Sequence, residues 1–322
     1  MSTVSPAATN CLLIYSEEAT QYLEVVQQHA LLGLRALATD DLAQARRWFG
    51  ECNIVLSEPH TIGPYLQELQ HLEWLQSTFV GVGPLLEPVC RKDYALTTLG
   101  GLYAPLMTEY VFCYLLAHAK RAWQRYQAQL QRRWDNTLTG ALDGKVLGLA
   151  GVGVIGAQVA RTAKYFGMRT KGLTRSSTSC PYIDAYFHSD QLLEFVSDVD
   201  YLVCALPDTA ETRQIIGRQV LRAMPRRAVL VNIGRGNALD DEALVEALQT
   251  GTIASAVLDV FREEPLPASH PFWITPNLII TCHSAAPSPG YHQGIVAVFA
   301  ENYRRFITRQ PLLSRVDFER GY

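Results

Sequence analysis

The second half of the chain alternates short apolar segments with helical patterns, and this alternation constrains the fold of the 322 residues more than any other feature. Six segments have the length and apolar content of buried strands. They are residues 145–150, 169–173, 200–206, 228–233, 255–260 and 278–282. Such alternation predicts a parallel, doubly wound sheet that is covered by helices on both faces.

The remaining segments predict a second, smaller domain. Strands are expected at 12–15 and 53–56, and helices at 41–49 and 64–72. Residues 103–133 contain no glycine and predict one long helix between domains, and 290–308 predicts a helix that returns to the first domain. We therefore expect a two-domain α/β protein. Its Rossmann-like doubly wound parallel sheet, residues 103–288, is inserted into a smaller flavodoxin-like α/β substrate domain, residues 1–102 and 289–322.

Composition argues against several classes of protein. Hydrophobic residues at 48% and charged residues at 18% describe a globular chain long enough for two domains. The formal net charge of -3 gives no reason to expect nucleic acid or an anionic membrane as a partner. We see no secretory signal and no apolar run near the ~20 residues that span a bilayer. The seven cysteines lack metal or redox spacing, so we expect free thiols, no metal site and a cytoplasmic location.

Three spaced glycines follow the first of the six predicted strands. Gly151 would permit a tight turn, Gly153 would let the backbone approach phosphates, and Gly156 would let the next helix pack closely on the strand. The N-terminus of that helix would offer N–H groups to an anion. The pattern suits a dinucleotide pyrophosphate, although glycines also occur in ordinary strand-to-helix turns.

Three chemically active side chains follow the last three predicted strands. Arg235 follows the fourth strand, Glu264 the fifth and His283 the sixth. In an open parallel sheet, ligands bind beyond the carboxyl ends of the strands. Each residue also has a plain interpretation, as a solvated loop arginine, a surface acid or a satisfied structural histidine. If all three plain interpretations were true, three chemically active residues would lie at one edge of one sheet by coincidence. A single functional site that uses all three is therefore favoured.

These side chains suit carbonyl reduction by hydride transfer. Arg235 can bind the carboxylate of a 2-oxo acid and polarise its carbonyl oxygen. His283 can donate the proton that this oxygen needs. Glu264 can hold the other ring nitrogen and favour the imidazolium. The pairing of Glu264 with His283 is a hypothesis about geometry that the sequence cannot test.

The end of the second predicted strand favours NADPH over NADH. An NAD-binding fold usually places Asp or Glu about 20 residues beyond the glycines to bind the ribose hydroxyls. Thr174 stands there, and Arg175 and Ser176 follow it. Arg175 can pair with a 2′-phosphate, although it could be an ordinary surface residue. We predict NADPH, with NADH as the weaker alternative.

With these residues in view, the chain resembles the D-isomer-specific 2-hydroxyacid dehydrogenases. The segments that carry the resemblance are 75–82, 108–111, 151–156, 206–212, 231–236, 258–267 and 281–283. The ending, 301–305 and 316–322, is most like the glyoxylate/hydroxypyruvate reductase subgroup. The resemblance implies a two-domain fold and a homodimer.

The resemblance also implies roles for individual residues. Arg235, Glu264 and His283 fall on the family's catalytic positions, and Arg235 and His283 would touch the substrate. Backbone N–H groups of Val80 and Gly81 would hold the substrate carboxylate, with an ordinary glycine-containing turn as the alternative. Further cofactor contacts are expected from Val154, Ile155, Leu206, Pro207, Thr212, Ile233, Gly234, Asp259 and Ser284. Asp259 would approach the nicotinamide amide, and a turn or cap residue is its plain interpretation.

Two positions depart from the family pattern. Cys282 precedes the histidine where the family commonly has proline, and Gly83 stands where relatives often carry Asp or Glu. The first change should alter loop stiffness more than chemistry. The second should make the substrate loop more mobile.

The leading interpretation is an NADPH-dependent oxidoreductase that reduces small 2-oxo acids, glyoxylate and hydroxypyruvate first. One alternative is a dehydrogenase for another D-2-hydroxy acid, of the phosphoglycerate or lactate type. A second alternative is a nucleotide-sensing, corepressor-like binding module. A binding module would bind NADPH without consuming it in the presence of a 2-oxo acid, whereas either enzyme would turn over its substrate.

Overall fold

The computed structural model describes residues 10–286 and 288–321, which form two compact units. The first unit contains residues 10–102 and 288–321, and the second contains residues 103–286. Each unit is built on one parallel sheet. The predicted α/β fold with two parallel sheets is thereby confirmed.

The first unit has a five-stranded sheet of order β2-β1-β3-β4-β5, in which every pair of neighbours is parallel. Its strands are β1 Asn10–Tyr15, β2 Leu34–Thr39, β3 Ile54–Ser57, β4 Trp74–Ser77 and β5 Ala95–Thr97. Its helices in this part of the chain are α1 Ala19–Gln28, α2 Leu42–Trp48, α3 Pro59–Ile62 and α4 Gly83–Leu86, with a 3-10 helix at Gly63–Glu68. This strand order is that of flavodoxin-like folds.

The second unit has a seven-stranded parallel sheet. It begins with helices α5 Ala104–Ala119 and α6 Ala122–Leu130. The strands are β6 Val146–Ala150, β7 Arg169–Leu173, β8 Ala185–Phe187, β9 Tyr201–Cys204, β10 Val229–Asn232, β11 Ser255–Leu258 and β12 Leu278–Ile280. The helices between them are α7 Val154–Tyr165, α8 Leu192–Val196, α9 Arg218–Ala223 and α10 Asp241–Gln249. After this unit, α11 Tyr291–Ile307 belongs to the first unit again.

The strand order of the second sheet, β12-β11-β10-β9-β6-β7-β8, is that of a Rossmann fold. Winding starts at β6 and reverses at β9, so β6 lies between β7 and β9. The central strands β6, β9, β10 and β11 are buried over most of their length because helices cover both faces, whereas β7 contains Arg169 and Lys171. In β6, Leu147 and Leu149 pack in one layer with α5 and α7, whereas Val146 and Ala150 pack in the other with α8 to α10.

The single long helix expected over 103–133 is wrong. Helix α5 ends at Ala119 and α6 begins at Ala122, because Arg121 has a φ of 55° that a right-handed helix does not tolerate. The N–H of Gly140 donates to the carbonyl of Ala119 at 2.9 Å, and Lys120 Nζ donates to the carbonyl of Gly140 at 2.9 Å. The carbonyl of Ala119 thus accepts a hydrogen bond from a residue about 20 positions further along the chain. In a continuous helix it would accept the N–H of the residue four positions on.

The α-helix expected over 64–72 is also wrong. A 3-10 helix runs from Gly63 to Glu68, and the backbone leaves helical geometry at Leu69 with a ψ of 70°. Four strands had no prediction, namely β2, β4, β5 and β8. Strands β5 and β8 have three residues each and lie in no longer apolar run, whereas the equally short β12 lies in the apolar segment 278–282.

Within residues 10–286 and 288–321, no helix has the length and apolar character needed to cross a bilayer. The same residues contain no group of three or more His, Cys, Asp or Glu side chains placed to hold a metal ion.

The buried carboxylate of Asp200 joins the starts of three strands in the second sheet. It accepts the N–H of Val146 at 2.9 Å and Arg227 Nε at 2.5 Å, and Lys145 Nζ lies 3.8 Å away. Burial by itself raises the pKa of Asp200, but the hydrogen bonds from Val146 and Arg227 and the charge of Lys145 outweigh it and lower the pKa. The ionised carboxylate therefore stabilises the folded state.

Replacement of Asp200 by Asn should lower the free energy of unfolding by about 1.5–3 kcal/mol at pH 7, because a hydrogen bond to a charged group contributes that much. A pKa that folding lowers contributes stability above its unfolded value, about 4, and the contribution disappears as the pH falls through the folded value. Urea unfolding followed by circular dichroism should therefore show the two proteins converging in acid. The control Glu51→Gln breaks the exposed Arg35–Glu51 pair and should cost less than about 1 kcal/mol. A difference between wild type and D200N that stays constant down to acid pH would contradict this account.

Candidate active site

The candidate residues of the second unit all follow strands and lie along one edge of its sheet, here called the carboxyl edge. Gly151 and Gly153 follow β6, Thr174 to Ser176 follow β7, Leu206 and Pro207 follow β9, Ile233 to Arg235 follow β10, Asp259 follows β11, and His283 and Ser284 follow β12. Because these strands are parallel neighbours, their carboxyl ends meet at this edge.

The glycine turn after β6, here called the glycine cradle, has no room for a side chain at Gly151 or at Gly156. Gly151 has a φ of 97°, and a Cβ atom there would lie 2.7 Å from the carbonyl oxygen of Ala205. A Cβ at Gly156 would lie 2.2 Å from the carbonyl oxygen of Gly151. Helix α7 then begins at Val154, and its N-cap Gly153 offers no side chain to the first-turn N–H groups. Ile155 is the next residue of that turn, and the geometry fits the pyrophosphate of a dinucleotide.

The loop after β7 closes on itself. Thr174 Oγ1 donates to the carbonyl of Ser177 at 2.6 Å, and His188 Nδ1 lies 3.0 Å from the carbonyl of Thr174. Arg175 and Ser176 are exposed. The pKa of Glu211 is lowered by hydrogen bonds from its own N–H and from Thr209 and, more weakly, by the charge of Arg175. A carboxylate therefore lies within electrostatic range of Arg175, which sequence reasoning did not detect.

Two further loops at the carboxyl edge are held by internal hydrogen bonds. In the loop after β9, Thr212 Oγ1 donates to the carbonyl of Pro207 at 2.7 Å. After β10, the fully buried Asn232 accepts the N–H of Gly234 at 3.1 Å and donates to the carbonyl of Arg235 at 3.0 Å. Asn232 was absent from the predicted site, and its only sequence signal is an amide at the end of an apolar strand.

The guanidinium of Arg235 lies at the carboxyl edge in a half-buried position. Its Nη1 donates to the carbonyl of Gly234 at 2.7 Å. Burial lowers the pKa of Arg235, and the negative charges of Glu264 and Asp208 oppose that shift. Arginine remains protonated in proteins, so a forked cation faces this edge.

His283 and Glu264 form a hydrogen-bonded pair, with Nδ1 of the ring 2.7 Å from Oε2 of the carboxylate. The other oxygen, Oε1, accepts the N–H of Phe261 at 2.8 Å, which orients the carboxylate. A proton on Nδ1 satisfies this pair and leaves Nε2 as the nitrogen that can serve a ligand. The side chain of His283 is 52% exposed, so a ligand can reach it.

The loop that carries His283 is held by Asp259, which is 1% exposed. Its Oδ1 accepts the hydroxyl of Thr281 at 2.6 Å and the N–H of Ser284 at 2.8 Å, and its Oδ2 accepts the N–H of Ala285 at 3.0 Å. The backbone of His283 has a φ of 52°, and its N–H donates to the carbonyl of Asp259 at 2.9 Å. These contacts agree with the plain interpretation of Asp259 as a turn residue, and its approach to a nicotinamide stays a prediction.

Tyr110 extends this network from α5. Its hydroxyl lies 2.7 Å from Oγ1 of Thr281. Since Thr281 has one hydroxyl proton and directs it at Asp259, Tyr110 is the donor in this contact. Sequence reasoning placed neither Tyr110 nor Thr281 at the site, because 171 residues separate them.

The remaining candidate residues, Val80 and Gly81, lie in the first unit. They belong to the loop between β4 and α4, and α4 begins at Gly83. Ser77 Oγ accepts the N–H of Phe79 at 2.9 Å and donates to its carbonyl at 2.8 Å, so the start of this loop is closely held. Val80 is exposed and Gly81 is half-buried, and their contact with a substrate stays a prediction.

Replacement of Thr281 by Val should loosen the loop that carries His283, because Asp259 loses one donor while the side-chain shape is kept. Amide hydrogen exchange at Ser284 and Ala285 should become roughly tenfold faster, as expected for the loss of one charged hydrogen bond. The exchange rate is measured by mass spectrometry on peptides that contain this loop. Thr250→Val, which removes a hydroxyl bond on α10, is the control and should leave the loop unchanged. Unaltered exchange in T281V would show that the Thr281–Asp259 hydrogen bond does not hold the loop.

Comparison with known proteins identifies the family to which these features belong. The family model described as "D-isomer specific 2-hydroxyacid dehydrogenase, NAD binding domain" matches residues 112–285. A glyoxylate/hydroxypyruvate reductase A from Klebsiella pneumoniae is 34% identical over 217 residues, which are 67% of this chain and 69% of the relative.

Two solved structures extend the similarity to almost the whole chain. A D-isomer specific 2-hydroxyacid dehydrogenase family protein from Aeromonas salmonicida has a TM-score of 0.88 and 38% identity, covering 96% of this chain and 99% of that one. A D-isomer specific 2-hydroxyacid dehydrogenase from Xanthobacter autotrophicus, crystallised with NADPH and MES, has a TM-score of 0.86 and 27% identity, covering 98% and 100%.

The matched region contains the glycine cradle and every candidate residue of the carboxyl edge. The predicted resemblance, including that to the glyoxylate/hydroxypyruvate reductase subgroup, is confirmed. The chain belongs to the D-isomer-specific 2-hydroxyacid dehydrogenases, a family of NAD(P)-dependent oxidoreductases.

Proposed function

We propose that this protein is an NADPH-dependent reductase of small 2-oxo acids, converting glyoxylate to glycolate and hydroxypyruvate to D-glycerate. The observation that carries the proposal is the His283–Glu264 pair, at 2.7 Å, on the same sheet edge as the glycine cradle. The Klebsiella relative is named for both substrates, and the Xanthobacter relative was crystallised with NADPH.

The carboxyl edge would hold the cofactor in two places. Residues 151–156 would bind the pyrophosphate through backbone N–H groups at the start of α7, and Gly151 and Gly156 have no room for side chains. Thr174, Arg175 and Ser176 would bind the 2′-phosphate through a cation and a hydroxyl group. When bound, NADPH supplies the hydride that reduces the carbonyl carbon.

The chain's own residues would bind the acid and supply the proton. Arg235 would bind the substrate carboxylate and polarise the carbonyl oxygen, and the backbone of Val80 and Gly81 would also contact the carboxylate. His283 would donate its Nε2 proton to that oxygen as negative charge develops on it. Glu264 would keep Nδ1 protonated and stabilise the imidazolium before transfer.

We also propose that the first unit is the substrate domain and that the protein is a homodimer. Large apolar side chains are exposed on α6 and on the segment that follows it. They are Trp123, Tyr126, Leu130, Trp134 and Leu138, and the last two are 93% and 92% exposed. An apolar surface of this kind favours association of two chains. Sedimentation at the monomer mass would contradict the dimer.

Replacement of His283 by Ala should lower kcat by roughly 10²- to 10⁴-fold, the usual contribution of a general acid. The dissociation constant for NADPH should change little, because the cradle lies on other strands. The measurement is the loss of reduced-nicotinamide absorbance with glyoxylate and with hydroxypyruvate, together with a fluorescence titration of NADPH.

His71→Ala, at an exposed position in the first unit, is the matched control and should retain wild-type turnover. Wild-type turnover in H283A would remove His283 from the mechanism. If wild type binds NADPH but consumes it with no small 2-oxo acid, a larger substrate or a sensing role replaces this proposal.

The double replacement Thr174→Asp with Arg175→Ala should shift preference toward NADH. The aspartate would repel a 2′-phosphate and bind ribose hydroxyls, and the lost cation removes a charged hydrogen bond that contributes roughly 1.5–3 kcal/mol. The ratio of kcat/KM for NADPH and NADH should move about tenfold or more. Arg35→Ala, an exposed arginine of the first unit, should leave the ratio unchanged. An unchanged ratio in the double variant contradicts the assignment.

A further inference from the structure

Two cysteine side chains of the first unit meet at the amino end of its sheet. Cys11 is the second residue of β1, and Cys52 lies just before β3, the strand beside β1. Their Sγ atoms are 3.0 Å apart, and both thiols are free. Neither residue takes part in the proposed chemistry, which the second unit's carboxyl edge carries.

The backbone holds the two thiols in this contact. The N–H of Cys11 donates to Oδ1 of Asn53 at 3.0 Å, so the residue after Cys52 is bound directly to Cys11. Leu12 and Ile54 are paired in the parallel register of β1 and β3. The sulfur atoms therefore meet across two strands whose separation the sheet has already set, and no segment has to move to bring them together.

The two thiols differ in their surroundings. Cys52 is fully buried in the apolar core of the first unit, whereas Cys11 is half-buried at the margin of that core. Burial, and then the contact with Cys11, raise the pKa of the Cys52 thiol. Because Cys11 is the more exposed of the two thiols, a soluble oxidant reaches it first.

We propose that Cys11 and Cys52 form a modification site, a dithiol that hydrogen peroxide oxidises to an intramolecular disulfide. The sulfur of Cys11 attacks one peroxide oxygen, the O–O bond breaks, and the leaving hydroxide takes the thiol proton to give water and a sulfenic acid. The sulfur of Cys52 then attacks the sulfur of Cys11. The S–S bond forms, the S–O bond breaks, and the hydroxide leaves as water with the proton of Cys52. Two electrons pass from the thiols to one peroxide.

The disulfide would stabilise the first unit. It links residues 41 positions apart, so it restricts the unfolded chain, while the native strands already hold the sulfur atoms in contact. A cross-link over a loop of this length should raise the Tm of the unit by roughly 5–10 °C. Reduction with dithiothreitol should reverse the increase.

The experiment treats the full-length protein with hydrogen peroxide, removes the peroxide with catalase, and alkylates the remaining thiols after denaturation. Trypsin would leave Cys52 and Cys90 in one fragment, because the chain has no Lys or Arg between Arg47 and Arg91. A protease that cleaves after glutamate separates them. Because Pro59 blocks cleavage after Glu58, cuts after Glu51 and Glu68 isolate Cys52 in residues 52–68. Mass spectrometry without reductant should then find this fragment linked to the fragment that contains Cys11.

Cys11→Ser should abolish both the linked fragments and the rise in Tm. Cys90→Ser, at a half-buried cysteine of the same unit, is the matched control and should behave as wild type. Cys11→Ser replaces the half-buried partner, so the core around Cys52 stays filled. The exposed Cys113 and Cys282 report whether the oxidant was effective. If these two are oxidised while Cys11 and Cys52 remain alkylated, or if Cys11 stops at a sulfinic acid, the dithiol assignment is overturned.

Discussion

The carboxylate of Asp259, buried beneath the loop that follows β12, accepts a hydroxyl and two backbone N–H groups of that loop. The position of His283 depends on these contacts. A non-glycine residue with a φ of 52° costs about 1–3 kcal/mol, whereas each hydrogen bond to a carboxylate contributes about 1.5–3 kcal/mol. Three such bonds outweigh the backbone cost. The ring is then oriented by Glu264, which is itself oriented by the N–H of Phe261. Two sets of hydrogen bonds to carboxylates therefore position the proposed acid. Asp259 holds the backbone of its loop, and Glu264 orients its ring.

The parallel sheet determines where this chemistry can occur. Every strand of the second unit ends at the same edge, so a cation, a histidine–carboxylate pair and a glycine cradle meet there although they lie far apart along the chain. The opposite ends of the same strands serve stability instead. There the Asp200 carboxylate accepts the N–H of Val146 and the side chain of Arg227. The charges at the amino ends of this sheet therefore serve stability, whereas the carboxyl edge holds both the loop-binding carboxylate of Asp259 and the charges proposed for catalysis.

The first unit is completed by the C-terminal part of the chain. The ring of Trp74, which is fully buried in β4, stacks on Phe299 of α11 with centroids 5.1 Å apart, and Asn302 Nδ2 donates to Oε1 of the neighbouring Gln76 at 3.1 Å. These contacts join residues more than 200 positions apart. The sheet of the first unit consequently needs both parts of the chain that flank the second unit. The Cys11–Cys52 pair lies in this interrupted unit.

Sequence alone determined the elements whose signal is local. The buried strands of the second sheet, the glycine turn and α11 follow from apolar runs, from residues without a side chain and from helical periodicity. Arg235, Glu264 and His283 could be named because each follows a recognisable strand. Only the tertiary structure decided the rest. It ended α5 at Ala119 through a contact from Gly140, produced strands of three residues, and brought Tyr110 to Thr281. These features depend on hydrogen bonds between residues that are far apart in sequence. Such pairs produce no periodic pattern in a single sequence from which they could be predicted.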